Sequence, residues 1–181
     1  MKKLLVVLVA AALVVGMFIS ISAFSTQSIN VLGVAIEQKN TGTEISLNAK
    51  DMNEYENAIA AMINNVRAAN GINALAADNT LNSVAGIRSQ DLIDRNYFSH
   101  YTPEGTNVFN VMKDNGVSYS YAGENLAQSA PASAGTVEGF LNAWMNSQTH
   151  KDNILRAQYT RIGVSMAEID SRRVVTTVFT N

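Results

Sequence analysis

From Asn53 onward the apolar positions of the chain fall into periodic runs. Tyr55, Ile59, Met62, Ile63 and Val66 recur at helical spacing, which predicts an amphipathic helix. Asn53 followed by Glu56 has the form of a capping box at its start, and Asn70-Gly71 supplies a stop. A second helix is predicted from about Thr80 to Arg95, with Leu81, Val84, Ala85 and Leu92 on its buried face. A short third helix runs from Thr106 to Asn115, and a fourth from Ser133 to Asn146 buries Val137, Phe140, Leu141 and Trp144. The period then changes. Ile162, Val164, Met166 and Glu168 alternate with Gly163, Ser165, Ala167 and Ile169, and Val174 to Phe179 is β-branched and aromatic. Both read as strands, with Asp170-Ser171 as the hairpin turn. Ser118 to Tyr121 is a further strand candidate. Helices that precede and flank a small, mostly antiparallel sheet predict an α+β or α/β/α layered domain over residues 53–181.

The chain before Asn53 has another character. Lys2 and Lys3 precede an apolar stretch from Leu4 to Ile21, broken by Gly16 and Ser20. Ile21-Ser22-Ala23 can close a signal peptide. The stretch is also about as long as a membrane span, so residues 1–23 read as a signal peptide or as an N-terminal membrane anchor. Either would export the rest, because the positive end stays inside. Residues 24–52 are rich in Ser, Thr, Asn and Gln and read as a flexible spacer. Within them, Ile29 to Ile36 is apolar enough for a short strand.

Charge and composition narrow the function. Of 181 residues, 13 are basic and 15 acidic, a formal net charge of −2. No basic stripe exists to neutralise phosphates, which excludes a broad grip on nucleic acid. The absence of cysteine excludes disulfides, thiolate metal sites, a cysteine nucleophile and a lipid-modified cysteine anchor. Imidazole chemistry is confined to His100 and His150. The unusual residues gather in three segments, 97–105, 121–127 and 144–155. None carries a metalloprotease helix motif, a phosphate loop, a dinucleotide fingerprint or a nucleophile elbow. Taken singly, each segment has a structural explanation. His100 follows a helix end, where an imidazolium suits the dipole. Glu124 can be a turn or helix-start carboxylate, and His150 with Asn153 can organise a loop after Trp144. A functional reading needs the three to converge: two imidazoles and a carboxylate are a common zinc ligand set.

In chain order, the fragments Asn64-Asn65-Val66-Arg67, Phe98-Ser99-His100, Gly123-Glu124-Asn125-Leu126 and Trp144-x-x-Ser147-x-x-His150-x-x-Asn153 resemble the motifs of the CAP superfamily, the cysteine-rich secretory, antigen 5 and pathogenesis-related proteins, in its bacterial form. The resemblance covers residues 53–181. It implies a three-layer α-β-α sandwich with a cleft on one face. By position it implies a cleft carrying His100, Glu124, Asn125, Ser147, His150 and Asn153, with His100, His150 and Glu124 as candidate zinc ligands. Ser147 stands where animal and plant members carry a second acid. The resemblance further implies an exported protein at the cell envelope or outside it, holding a small apolar or peptide-like ligand or an envelope component. The alternatives are a hydrolase, using either zinc or a hydroxyl nucleophile such as Ser99 or Ser147, and a non-catalytic surface module.

Overall fold

The computed structural model describes residues 49–181. The export segment 1–23, the spacer up to residue 48 and the Ile29–Ile36 patch lie outside the described residues. The elements are helix α1 (Ala49–Ala69), strand β1 (Ala76–Ala77), α2 (Asn79–Asp94), α3 (Val108–Asp114), β2 (Ala122–Ser129), a 3-10 turn at Ala132–Ala134, α4 (Val137–Met145), α5 (Gln148–Ile154), β3 (Arg161–Ile169) and β4 (Arg172–Thr180). No helix among the described residues is long and apolar enough to cross a membrane.

The sheet order is β1-β3-β4-β2. β3 and β4 form the expected hairpin, with Asp170 at φ 51° in its turn. β2 runs antiparallel to β4, and β1 parallel to β3. Alternation along the strands sorts the core into two faces. Ile162, Val164, Val175 and Phe179 face α1 and α4, packing with Ile59, Ile63, Phe140 and Trp144. Val178 turns the other way, toward Leu81, Val84, Val108 and Met112 of α2 and α3. Val174, Ala167 and Leu126 meet Leu92 and Ile93 on that same face. The result is helices, sheet, helices: an α+β, three-layer α-β-α sandwich. Gly163 is what lets α2 lie this close, since a Cβ there would collide with the backbone of Leu81 and Asn82.

Several expectations change. α1 starts at Ala49, not Asn53, and Asn53 lies inside it. Glu56 does not cap the helix; its Oε1 accepts hydrogen bonds from Met166 N at 2.8 Å and Ser165 Oγ at 3.0 Å. The strand expected at Ser118–Tyr121 is instead Ala122–Ser129, a sequence without β-branched residues that pairs along its length with the Val/Thr-rich β4. The fourth helix is two pieces: the turn at Ala132–Ala134 and α4, which Thr136 caps by accepting from Gly139 N. Residues 148–154, read as a loop, form α5.

Both outer edges of the sheet are closed by side chains. Beyond β1, the N–H groups of Val164 and Met166 on β3 are taken by Asn82 Oδ1 (2.9 Å) and Glu56 Oε1. On β2, the carbonyls of Glu124 and Leu126 are taken by Asn153 Nδ2 (3.2 Å) and Trp144 Nε1 (2.9 Å). An open edge invites pairing with other chains, and these four bonds occupy it.

Candidate functional site

The site lies at β2 and the start of the chain that follows α2. Alternation puts Glu124 on the α2 face of the sheet and Asn125 on the opposite face. Glu124 meets Arg88 of α2, whose Nε donates to its Oε1 at 3.0 Å. This ion pair is dry, with side chains 1% and 3% exposed. Removing two charges from water is costly and is offset only when the remaining hydrogen-bonding groups are also satisfied. Here they are. Arg88 donates from Nη1 to the Tyr97 hydroxyl (2.8 Å) and from Nη2 to the Ser99 carbonyl (2.9 Å). Tyr97 in turn donates to Asp91. Burial and that bond to Asp91 push the Tyr97 phenol above its usual pKa, so it stays a donor.

The second oxygen of Glu124 lies 2.7 Å from His100 Nδ1. A carboxylate accepts, so Nδ1 carries the hydrogen of this bond, and Nε2 is the ring's free nitrogen. The His100 side chain is 51% exposed, in contrast to the buried pair behind it. His150 arrives from the opposite layer, on α5. The two imidazoles are 6.5 Å apart between centroids, tilted by 39°. Burial first, and then the neighbouring His100, hold the His150 imidazole below its usual pKa, so it is neutral at pH 7.

Asn125 and Asn153 fix α5 to the strand. Asn125 is fully buried and donates to the His150 carbonyl at 3.0 Å. Asn153 Nδ2 reaches Asn125 Oδ1 at 2.9 Å as well as the Glu124 carbonyl. Gly123 is needed beside them: a Cβ there would lie 2.5 Å from the Tyr159 hydroxyl and 2.7 Å from Asn153 Oδ1. In front opens a cleft of about 260 Å³, lined by His100, Gly123, Glu124 and Asn153, with Tyr101 and Phe109 at its exposed side. Asn125 and His150, also expected in the cleft, are outside this lining, and so is Ser147. It occupies the cap position of α5 without capping it, its hydroxyl 3.3 Å from Thr149 Oγ1.

Residues 60–180 match the family model described as CAP, the cysteine-rich secretory protein family. This chain belongs to the CAP family. It is 38% identical over 135 residues to the uncharacterized protein YkwD of Bacillus subtilis (strain 168), a match covering 75% of this chain and 50% of that one. It is 31% identical over 111 residues to the uncharacterized membrane protein YlbC of the same organism, covering 61% of this chain and 31% of that one. The chain therefore spans half or less of these curated relatives. Among solved structures, an extracellular SCP-domain protein from Bacillus anthracis superposes with a TM-score of 0.64 at 30% identity, over 76% of this chain and 45% of that one. An outer surface protein of Borrelia burgdorferi, at 22% identity and a TM-score of 0.65 over 71% of this chain and 92% of that one, shares the fold.

The CAP domain thus brings His100, Glu124 and His150 together, but not as the ligand set the zinc expectation requires. Among the described residues, no group of three or more His, Cys, Asp or Glu side chains is disposed to hold a metal ion. The physical reason is the use of Glu124: one oxygen serves Arg88 and the other His100. Two imidazoles remain, short of the three protein ligands of an open zinc site, with a buried guanidinium close behind. In place of a zinc trio stands a hydrogen-bonded chain, Asp91-Tyr97-Arg88-Glu124-His100. Its centre, Arg88, is inconspicuous in the sequence, where it is one arginine on a predicted helix. Arg67, part of the first motif, has a structural task. It is fully buried and donates to the carbonyls of Asn73, Ile154, Arg156 and Tyr159 at 2.8 to 3.1 Å, clamping α1 to the exit of α5.

Proposed function

We propose that this chain is an exported binding protein of the cell envelope whose CAP domain holds its ligand over His100 and His150. The observation that carries the reading is the asymmetry of the His100 ring. One nitrogen is locked to a buried carboxylate that is itself locked by Arg88, and the other is presented to an open cleft. A dry ion pair behind one exposed imidazole is an arrangement for orienting that imidazole toward something outside the protein. The apolar and basic flanks of residues 1–23 support export, and the extracellular relative from Bacillus anthracis is consistent with it.

A hydrolytic role has one feature in its favour, an imidazole oriented by a carboxylate. It lacks a side-chain nucleophile in position. Ser99 Oγ accepts from Tyr101 N at 3.1 Å and Ser147 Oγ meets Thr149, so neither hydroxyl is bonded to a ring nitrogen. Binding is the better-supported function. The test is extraction of the protein from the envelope and culture fractions, followed by mass spectrometry of what comes with it. Wild type is expected to carry a ligand that the His100→Ala, His150→Ala double variant loses. Identical extracts from the two forms would overturn the cleft reading.

A further inference from the structure

The cleft over His100 does not end at Asn153. A second open cleft of about 390 Å³ adjoins it, sharing Phe109, Ala122 and Asn153 and continuing past Tyr119, Ser120 and Tyr121 to Arg156. Four aromatic side chains along this course are well exposed: Tyr101, Phe109, Tyr119 and Tyr121, at 39% to 58%. Phe109 and Tyr119 touch, with centroids 6.2 Å apart and planes tilted by 43°, and so form one continuous wall. Large rings cost hydrophobic free energy when left in water, so a set of them along one groove marks a contact surface. At the far end, the Arg156 guanidinium lies 5.6 Å from the centre of the buried Tyr159 ring and forms no ion pair among the described residues. The only carboxylate lining either cleft, Glu124, is already matched by Arg88 and His100. The groove therefore offers uncompensated positive charge in a domain whose net charge is negative.

Three ligand chemistries can be weighed against this surface. An acyl chain would desolvate imidazole, amide, hydroxyl and guanidinium groups without replacing their hydrogen bonds. An extended peptide binds best by adding a strand to an open edge, and the carbonyls of β2 at Glu124 and Leu126 are already taken by Asn153 and Trp144. A sugar ring suits the surface on both counts. Its C–H face stacks on the negative face of an aromatic ring, and its hydroxyls can meet Ser120 and the free nitrogen of His100. An acidic sugar adds a carboxylate for Arg156. Resting on the cleft reading above, we infer that the joined groove from His100 to Arg156 binds an anionic glycan strand, with sugar rings on Phe109, Tyr119 and Tyr121 and a carboxylate on Arg156.

The test is calorimetric titration of the exported protein with three probes of equal length. These are a neutral N-acetylglucosamine hexamer, a hexamer alternating N-acetylglucosamine with glucuronic acid, and an acidic hexapeptide. The uronic-acid hexamer is expected to bind about tenfold more tightly than the neutral one. Arg156→Gln should abolish that preference while leaving the neutral hexamer unchanged, and Arg156→Lys should restore part of it. Tyr119→Ala and Tyr121→Ala, both at exposed positions and so compatible with folding, should each weaken both sugars about fivefold or more. Failure of both sugars to bind, or binding that ignores these variants, overturns the glycan inference. If the hexapeptide alone binds and responds to the variants, the glycan assignment falls while the cleft reading stands. If no probe binds and the double histidine variant carries the same extract as wild type, both fall.

Discussion

The two edges of the sheet are closed by the same device and used differently. On the β3 edge, acceptors from α1 and α2, Glu56 and Asn82, satisfy backbone N–H groups. On the β2 edge, donors from α4 and from α5, Trp144 and Asn153, satisfy carbonyls. Only the second edge also carries exposed chemistry. There the strand residue whose carbonyl is capped, Glu124, sends its side chain to the other face of the sheet, into the Arg88 pair and on to His100. The comparison separates two kinds of residue within one motif. Trp144, Asn125 and Asn153 hold the edge and the helix that delivers His150. His100 is what that framework holds out to the cleft, with the His150 ring 6.5 Å behind it.

The largest effects are expected where the edge and the buried pair are broken. Trp144 is 1% exposed, and Trp144→Ala should cost about 3–5 kcal/mol. Trp144→Phe keeps most of the ring but leaves the Leu126 carbonyl without its donor, for about 1–2 kcal/mol. Arg88→Met should cost a similar amount to Trp144→Ala, about 3–5 kcal/mol, because Glu124 is left buried and uncompensated. Adding Glu124→Gln should recover part of that loss, while removing the orientation of His100. Urea unfolding of the four variants measures all of these. On the other edge, Glu56→Ala removes a single half-buried acceptor and should cost about 1–2 kcal/mol. A Glu56→Ala loss as large as that of Trp144→Ala would erase the distinction between the edges.

Smaller effects mark the exposed chemistry. His100→Ala should cost about 1 kcal/mol: the ring is half in water, but it takes with it the donor to the second oxygen of the buried Glu124. His150 titrates with a sign that can be stated. Its imidazole is held below its usual value in the folded protein, so the unfolded chain binds the proton first as pH falls. Stability should therefore be fully present above about pH 6.5 and decline as pH drops through and below it. The urea midpoint of wild type should fall more between pH 7.5 and pH 5 than that of His150→Asn. An equal fall in both would remove His150 as the source.

Much of the architecture is legible in the sequence because it rests on periodicity. The α2 face through Leu81, Val84 and Leu92, the β3 alternation and the β4 run of Val and Thr each repeat a pattern long enough to read. β2 is not legible. Gly123-Glu124-Asn125 has neither β-branched residues nor a two-residue alternation of apolar and polar, because both its faces meet functional or edge-closing side chains. α5 is hidden for the same reason, since Gln148 to Asn153 is polar throughout and is held by Asn125 and Asn153 rather than by an apolar stripe. The convergence of His100, Glu124 and His150 is expected from the motifs. Arg88 is not, because a buried arginine on a helix looks in sequence like a solvent-facing one. A signal is available in its spacing: Arg88 follows Leu81, Val84 and Ala85 at positions i+7, i+4 and i+3 on the buried face.

The central claim is that the buried Arg88–Glu124 pair fixes His100 with its Nδ1 hydrogen on the carboxylate and Nε2 free toward the cleft. Nitrogen-15 NMR of the imidazoles reads this directly, since protonated and unprotonated ring nitrogens differ widely in shift. At a pH high enough that both rings are neutral, His100 of wild type should show a protonated Nδ1 and an unprotonated Nε2, and Glu124→Gln should lose that strict preference. An Nε2-protonated His100 in wild type, or an unchanged tautomer in Glu124→Gln, would contradict the account.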